Sequence, residues 1–262
     1  MGVAGALMQA LTRNPLADPG ILGVNAGAYF AMVVGFATFG ATTTFGNVVF
    51  AMGGAFLAGL LVYAVGSRGR GGAGPAKGVL TGVAVSCVFT GVAFGITMID
   101  PKTFDKIRGW AVGSLQKDHG MELFLTTAPY IVVGLLIAFA LTGYLNALAL
   151  GDDRARALGV PVTTVRTAGF VALTLLCGAG TAAIGPISFL GLMIPHAVRS
   201  VVGPDQRWIL PASALAAPIL FLGADIVGRV ALETELPVGM ITAFIGAPVL
   251  IQLVRTRGVK EL

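Results

Sequence analysis

Apolar stretches separated by short, mostly basic connections run the length of this chain. Eight of them approach or reach the about 20 residues that a helix needs to cross a bilayer: Ile21–Phe39, Gly46–Val65, Gly78–Ile99, Leu123–Leu145, Thr163–Ile184, Pro186–Val198, Trp208–Val227 and Gly239–Val254. The runs are continuous, without the alternation of period two that marks barrel strands. The pattern therefore predicts an all-α, polytopic transmembrane helical bundle, read as one domain over residues 1–262. Pro186–Val198 is short and interrupted by Pro and Gly, which predicts a broken or steeply placed helix. Small-residue pairs, Gly53/Gly54, Gly82/Ser86 and Gly91/Gly95, predict faces where helix backbones approach closely.

Composition agrees with that pattern. Hydrophobic residues make up 56% of the 262, charged residues only 11%, and the mean hydropathy is +0.88. Soluble domains carry roughly 25% charged residues. The net charge of +5 could suit a nucleic acid, but its placement points to a membrane. With the turn at Asn14–Pro19 on the cytoplasmic side and each later span crossing, that side holds Arg13, Arg68, Arg70, Lys77, Arg154, Arg156, Arg166, Arg199, Arg207, Arg255, Arg257 and Lys260. The opposite side holds Lys102, Lys106, Arg108, Lys117 and Arg229. Twelve against five is the positive-inside bias and puts the C-terminus in the cytoplasm. Lipid, not nucleic acid, is the expected surroundings.

Catalytic chemistry is not signalled. The sequence has no Gly-x-x-x-x-Gly-Lys-Ser/Thr phosphate loop, so ATP hydrolysis is expected in other subunits. It has no Ser/His/Asp set, no His-Glu-x-x-His helix and no Cys cluster, so neither an enzyme nor a metal or cofactor site is expected. Cys87 and Cys177 lie in separate apolar spans and read as small core residues.

Several polar interruptions stand out. Gln9–Gly23 contains Asn14-Pro15 and Asp18-Pro19-Gly20, which force a compact turn. Leu150–Val160 (LGDDRARALGV) predicts a short exposed helix, with Asp152 and Asp153 at its start, Arg156 four residues from Asp152, and a stop at Gly159-Val-Pro161. These segments, with Trp110–Leu115, Gly185–Arg199 (GPISFLGLMIPHAVR), Gly203–Arg207, Ala224-Asp225, Arg229 and Glu235–Pro248, follow one another in an order that resembles the FecCD-like family of ABC importer permeases for iron-siderophore chelates, haem and cobalamin. The resemblance covers essentially the whole chain. Members typically have ten transmembrane helices, so it implies that this chain starts inside the second and is N-terminally incomplete relative to them.

The resemblance implies a permease subunit of a type II ABC importer in the bacterial cytoplasmic membrane, carrying an iron chelate, first of all a ferric siderophore, with cobalamin or haem as alternatives. It implies as partners a second permease subunit, identical or paralogous, two cytoplasmic ATPase subunits and an extracytoplasmic substrate-binding protein. It makes Asp152, Asp153, Arg154, Arg156 and Leu158 the coupling element that docks on the ATPase, against the plain reading of a solvated loop helix. It places Asn14 and Leu16 at the cytoplasmic gate, a role compatible with Asn14 organising the turn through its side chain. The hydroxyl-rich gate connection of some relatives corresponds here to Gly71–Ala76, which has no Ser or Thr. Arg229 is implied to dock the binding protein, against an internal pair with Asp225. His196 next to Pro195 reads as structural or interfacial, and Trp110 as a membrane-boundary anchor. An ion-coupled secondary transporter is the rival class, but it needs ionisable residues at mid-membrane on several helices.

Overall fold

A chain this apolar has little water to solvate its backbone, and helices satisfy each N–H and C=O within one segment. The computed structural model describes residues 1–40, 43–66, 75–113, 120–230 and 236–257, with no strand among them. The α-helices are α1 (Gly2–Thr12), α2 (Val24–Phe39), α3 (Thr44–Gly66), α4 (Pro75–Ile99), α5 (Pro101–Ala111), α6 (Gly120–Ala140), α7 (Thr142–Ala149), α8 (Asp152–Ala157), α9 (Val162–Ile184), α10 (Leu190–Val202), α11 (Gln206–Val230) and α12 (Val238–Arg257). A 3-10 turn, Pro19–Leu22, leads into α2.

Among the described residues, five stretches are long and apolar enough to cross a membrane: Thr44–Val65, Leu80–Ile99, Gly120–Ala140, Val162–Ile184 and Gln206–Val230. The other three expected spans are helical but shorter, in α2, α10 and Val238–Val249 of α12. The segment at Pro186 is broken as expected: its helix starts only at Leu190, after Phe189 in a left-handed conformation with φ 70°. The span expected over Leu123–Leu145 is interrupted at Leu141, between α6 and α7. There the Thr142 hydroxyl donates to the Phe139 carbonyl at 2.9 Å, a side-chain bond that competes with the helix ladder.

The largest departure concerns Ile21–Phe39. Arg13 lies beside Asp152 and Arg166, near the start of α9, whereas Asn25 accepts a hydrogen bond from the Thr181 hydroxyl near its other end, at 2.9 Å. The segment between them therefore runs into the bundle rather than turning at its surface, and α2 begins well inside. Non-helical backbone at such depth survives only where protein or a cavity supplies its partners. Here Asn14 Oδ1 accepts from the Leu16 N–H at 3.0 Å and Asp18 Oδ1 from the Gly20 N–H at 2.7 Å, while Ala17 is buried.

α1 and α9 form the centre. Every residue from Gly2 to Ala10 is buried, and 56% of the apolar window of α9 is buried against 17% for α6. Large apolar side chains on the outer helices, such as Leu80, Phe124, Leu136 and Ile219, point outward. Lipid tails are as apolar as leucine, so close packing has to hold the helices together. Two crossings show how. Pro195 has no N–H to offer the Gly191 carbonyl one turn back, and Gly5 of α1 packs directly on that carbonyl, where any Cβ would overlap it. Gly27 of α2 and Gly54 of α3 lie against each other, each also facing the alanine one turn along the partner helix, Ala58 and Ala31 respectively. At Gly53, Gly91 and Gly95, in contrast, a Cβ would have no other atom within 4 Å, so those members of the expected pairs do not pack inside this chain. Cys177 is buried as expected, but Cys87 is exposed on α4.

Candidate functional site

The short helix α8 forms because Gly151, at φ 105° and ψ 154°, redirects the chain after α7, and because its first turn carries Asp152 and Asp153 where carboxylates favour a helix N-terminus. Gly159 at φ 79° ends it, with Gly159 N–H donating to the Arg156 carbonyl and Val160 N–H to the Ala155 carbonyl. Ala155 is fully buried and seats the helix on the bundle. Asp153, Arg154, Arg156 and Leu158 are exposed.

Asp152 behaves differently from its neighbours. The expected pair with Arg156 is replaced: Arg156 bonds Asp153 at 3.1 Å, and Asp152 Oδ1 is held by Arg166 of α9 at 3.0 Å and by Arg13 at 3.4 Å. The Asp152 side chain is 23% exposed, against 100% for Asp153. Both arginines come from other elements and occupy its inward side. Neither was singled out as a site residue from the sequence, and a pairing between residues so far apart in the chain leaves no local signal.

Arg13 is also the residue at which α1 ends, in a left-handed conformation (φ 53°, ψ 29°) that non-glycine residues seldom adopt. Asn14 follows, its N–H on the Gln9 carbonyl and its side chain closing the turn onto Leu16. Leu16 then lines a cavity of about 640 Å³ with Asp18, Asn25, Tyr29, Ser86 and Phe189. Asp18 is half-buried there, a carboxylate set deeper in the bundle than the sequence reading allowed. Of Gly71–Ala76, the connection that corresponds to a gate segment in some relatives, residues 71–74 lie outside the described residues.

The same end of the bundle carries further polar locks. Gln9, almost fully buried, donates to the Leu192 carbonyl at 3.3 Å and accepts from Arg199 at 3.4 Å, so Arg199 reaches back to α1. Asn146 donates to Asp205 at 2.6 Å and accepts from the Gln206 N–H at 2.9 Å, joining α7 to the start of α11. The Arg207 backbone N–H and the Asn146 amide hold the Asp205 carboxyl below the usual carboxylate range.

At the opposite end, Arg229 bonds Asp225 at 2.8 Å, with the aspartate side chain 17% exposed and the arginine 44%. The internal pair is therefore present, and the guanidinium still reaches the surface. Lys102, Lys106 and Arg108 of α5 are exposed, and Lys106 stands 5.9 Å over the Phe36 ring. Trp110 is not a boundary anchor: it is buried and its indole N–H donates to the Ala182 carbonyl at 3.4 Å, because α5 packs on α2 and α4 and its last turn abuts the end of α9. The exposed tryptophan is Trp208, at the start of α11.

Among known proteins, the FecCD transport family matches residues 1–256. The ferric enterobactin transport system permease protein FepD of Escherichia coli (strain K12) is 49% identical over 260 residues, covering 98% of this chain and 78% of FepD. The probable siderophore transport system permease protein YfiZ of Bacillus subtilis (strain 168) is 40% identical over 261 residues, covering 99% of this chain and 78% of YfiZ. The cobalamin import system permease protein BtuC of Halobacterium salinarum (strain ATCC 700922 / JCM 11081 / NRC-1) is 36% identical over 264 residues, covering all of this chain and 70% of that one. A solved structure described as an inward-facing conformation of a putative metal-chelate type ABC transporter superposes with a TM-score of 0.86 at 28% identity, covering 97% of this chain and 81% of the other.

Proposed function

This chain belongs to the FecCD transport family, and we propose that it is the permease subunit of an ATP-driven ABC importer that moves a ferric siderophore across the bacterial cytoplasmic membrane. The observation that carries the substrate class is the similarity to the ferric enterobactin permease, sustained over nearly the whole chain. Two ATPase subunits bind the cytoplasmic face through α8, a second permease completes the pore, and an extracytoplasmic binding protein delivers the chelate. Gathering of Arg13, Arg166, Arg199 and Arg207 at the α8 end supports the cytoplasmic assignment of that end and of the C-terminus.

Uptake tests the reading. Cells carrying the permease, its binding protein and its ATPase should accumulate radiolabelled ferric enterobactin, and replacing the phosphate-loop lysine of the ATPase should reduce accumulation to background. Unlabelled ferric siderophore should compete, and cobalamin and haemin should not. Accumulation that persists with the inactive ATPase but collapses with the proton gradient would establish the ion-coupled alternative instead. In the same cells, with Cys87 and Cys177 replaced, a cysteine at exposed Lys102 should react with an impermeant thiol reagent and one at exposed Ser200 should be protected.

Arg229 is proposed to meet an acidic residue of the binding protein. Its guanidinium keeps an exposed surface beyond the Asp225 pair, and opposite charges across an interface speed encounter and fix register. Arg229→Glu should weaken binding-protein affinity about tenfold at low salt, roughly 1.4 kcal/mol, and less as salt rises. A reciprocal acidic-to-lysine change on the binding protein should restore it. If Asp225→Asn and Arg229→Glu lower thermal stability alike and leave affinity unchanged, the pair is internal only.

A further inference from the structure

We propose that Asp152 is a positioning residue: it ties α8 to the base of the re-entrant segment that lines the cavity, so that displacement of α8 is passed to Leu16 through Arg13. This rests on the reading of α8 as the ATPase-docking helix. The geometry separates Asp152 from the rest of α8. The other polar residues and Leu158 face outward, whereas the Asp152 carboxylate faces inward and bridges two guanidiniums on different elements.

The two guanidiniums are unequal anchors. Arg166 stands on α9, the most buried of the long helices, and is bonded at 3.0 Å. Arg13 is more exposed, lies at 3.4 Å, and sits on a chain reversal rather than inside a helix. When α8 moves, α9 resists and the Arg13 link is the one that follows or parts. Partly exposed ion pairs add little to stability, so the value of this bridge lies in what it positions. Arg13 ends α1 in a left-handed conformation uncommon for an L-residue, closed by the Arg13 and Asn14 N–H groups on the Ala10 and Gln9 carbonyls, and its side-chain bond to Asp152 pulls on that cap from another element. Relaxation to right-handed geometry would add a residue to α1 and swing Asn14, whose side chain holds Leu16 N–H at 3.0 Å. Leu16 lines the cavity, and two residues further on Asp18 fastens the 3-10 turn into α2. A local charge contact at the surface thus reaches the cavity wall through a few consecutive residues.

The test uses the complete transporter, permease with its ATPase and binding protein, in proteoliposomes with radiolabelled ferric enterobactin. Asp152→Asn and Arg13→Gln should each retain ATPase subunits on purification, yet raise the ATP hydrolysed per chelate transported at least tenfold. The double variant should be no worse than Asp152→Asn alone, because Arg13 acts through that carboxylate. Arg13→Lys, which keeps the charge, should recover most of the coupling. Arg13→Gln leaves the Asp152–Arg166 bond in place, so it reads the link even if Asp152→Asn fails to assemble. Wild-type stoichiometry in Arg13→Gln would overturn the proposal, as would equal loss in Arg13→Gln and Arg13→Lys. The reading of α8 as the docking helix fails by a separate result: variants of its outward residues that leave ATPase binding intact.

Discussion

Leu158→Glu combined with Arg156→Glu should strip the ATPase subunits from the purified permease and bring uptake to background, while the permease itself remains folded. Both side chains are outward at α8, Leu158 at 64% exposure, and neither supports the bundle. An exposed leucine at the end of a short polar helix is costly to leave in water and suits a docking contact. Burying it against a partner contributes about 2–3 kcal/mol, and a carboxylate in its place adds an unpaired charge to the same contact. A loss of about 3 kcal/mol is roughly a hundredfold in affinity. Co-purification and thermal unfolding of the permease measured side by side decide the matter. If α8 were only a solvated loop helix, the substitutions would shift stability within about 0.5 kcal/mol, as surface changes do, and the ATPase would stay bound.

Gly54→Leu should largely prevent recovery of folded protein, whereas Gly53→Leu should be tolerated. The two glycines are adjacent in sequence and opposite in surroundings. A side chain at Gly54 meets Ala31 and the backbone of Gly27 across the α2–α3 crossing, and neither backbone can withdraw without separating the helices; at Gly53 there is open space. Overpacking of this kind costs about 3 kcal/mol or more, at or beyond the upper end of the usual range. Gly27→Leu should match Gly54→Leu, since the contact is reciprocal. Yield and melting temperature in detergent are the measurements, and similar values for Gly53→Leu and Gly54→Leu would contradict the crossing. A loss confined to dimer formation in Gly53→Leu would mark its face as one that meets the second permease.

Membrane class, helical backbone and the outline of the spans were legible from the chain alone, because each depends on local quantities. Runs of apolar residues force helices in lipid, and Asp152, Asp153 and Gly159 bound α8 through dipole and backbone preferences that act within one turn. The turn chemistry of Asn14 and Asp18 was local too, and both side chains close the turns their spacing suggested. What local pattern could not contain was depth and partner. Nothing near Asn14 says that its segment climbs into the bundle, because that follows from Pro19 meeting Gly191 and Asn25 meeting Thr181. Trp110 looked like an anchor until α5 folded it onto Ala182. Asp152 had a plausible local partner in Arg156, but two arginines from elsewhere in the chain took its carboxylate, since a partly buried charge pairs with whichever cation the packed helices bring within reach. Likewise Gly53 and Gly54 are the same residue to any rule of composition, and only the crossing of α2 over α3 gives one of them a backbone to touch.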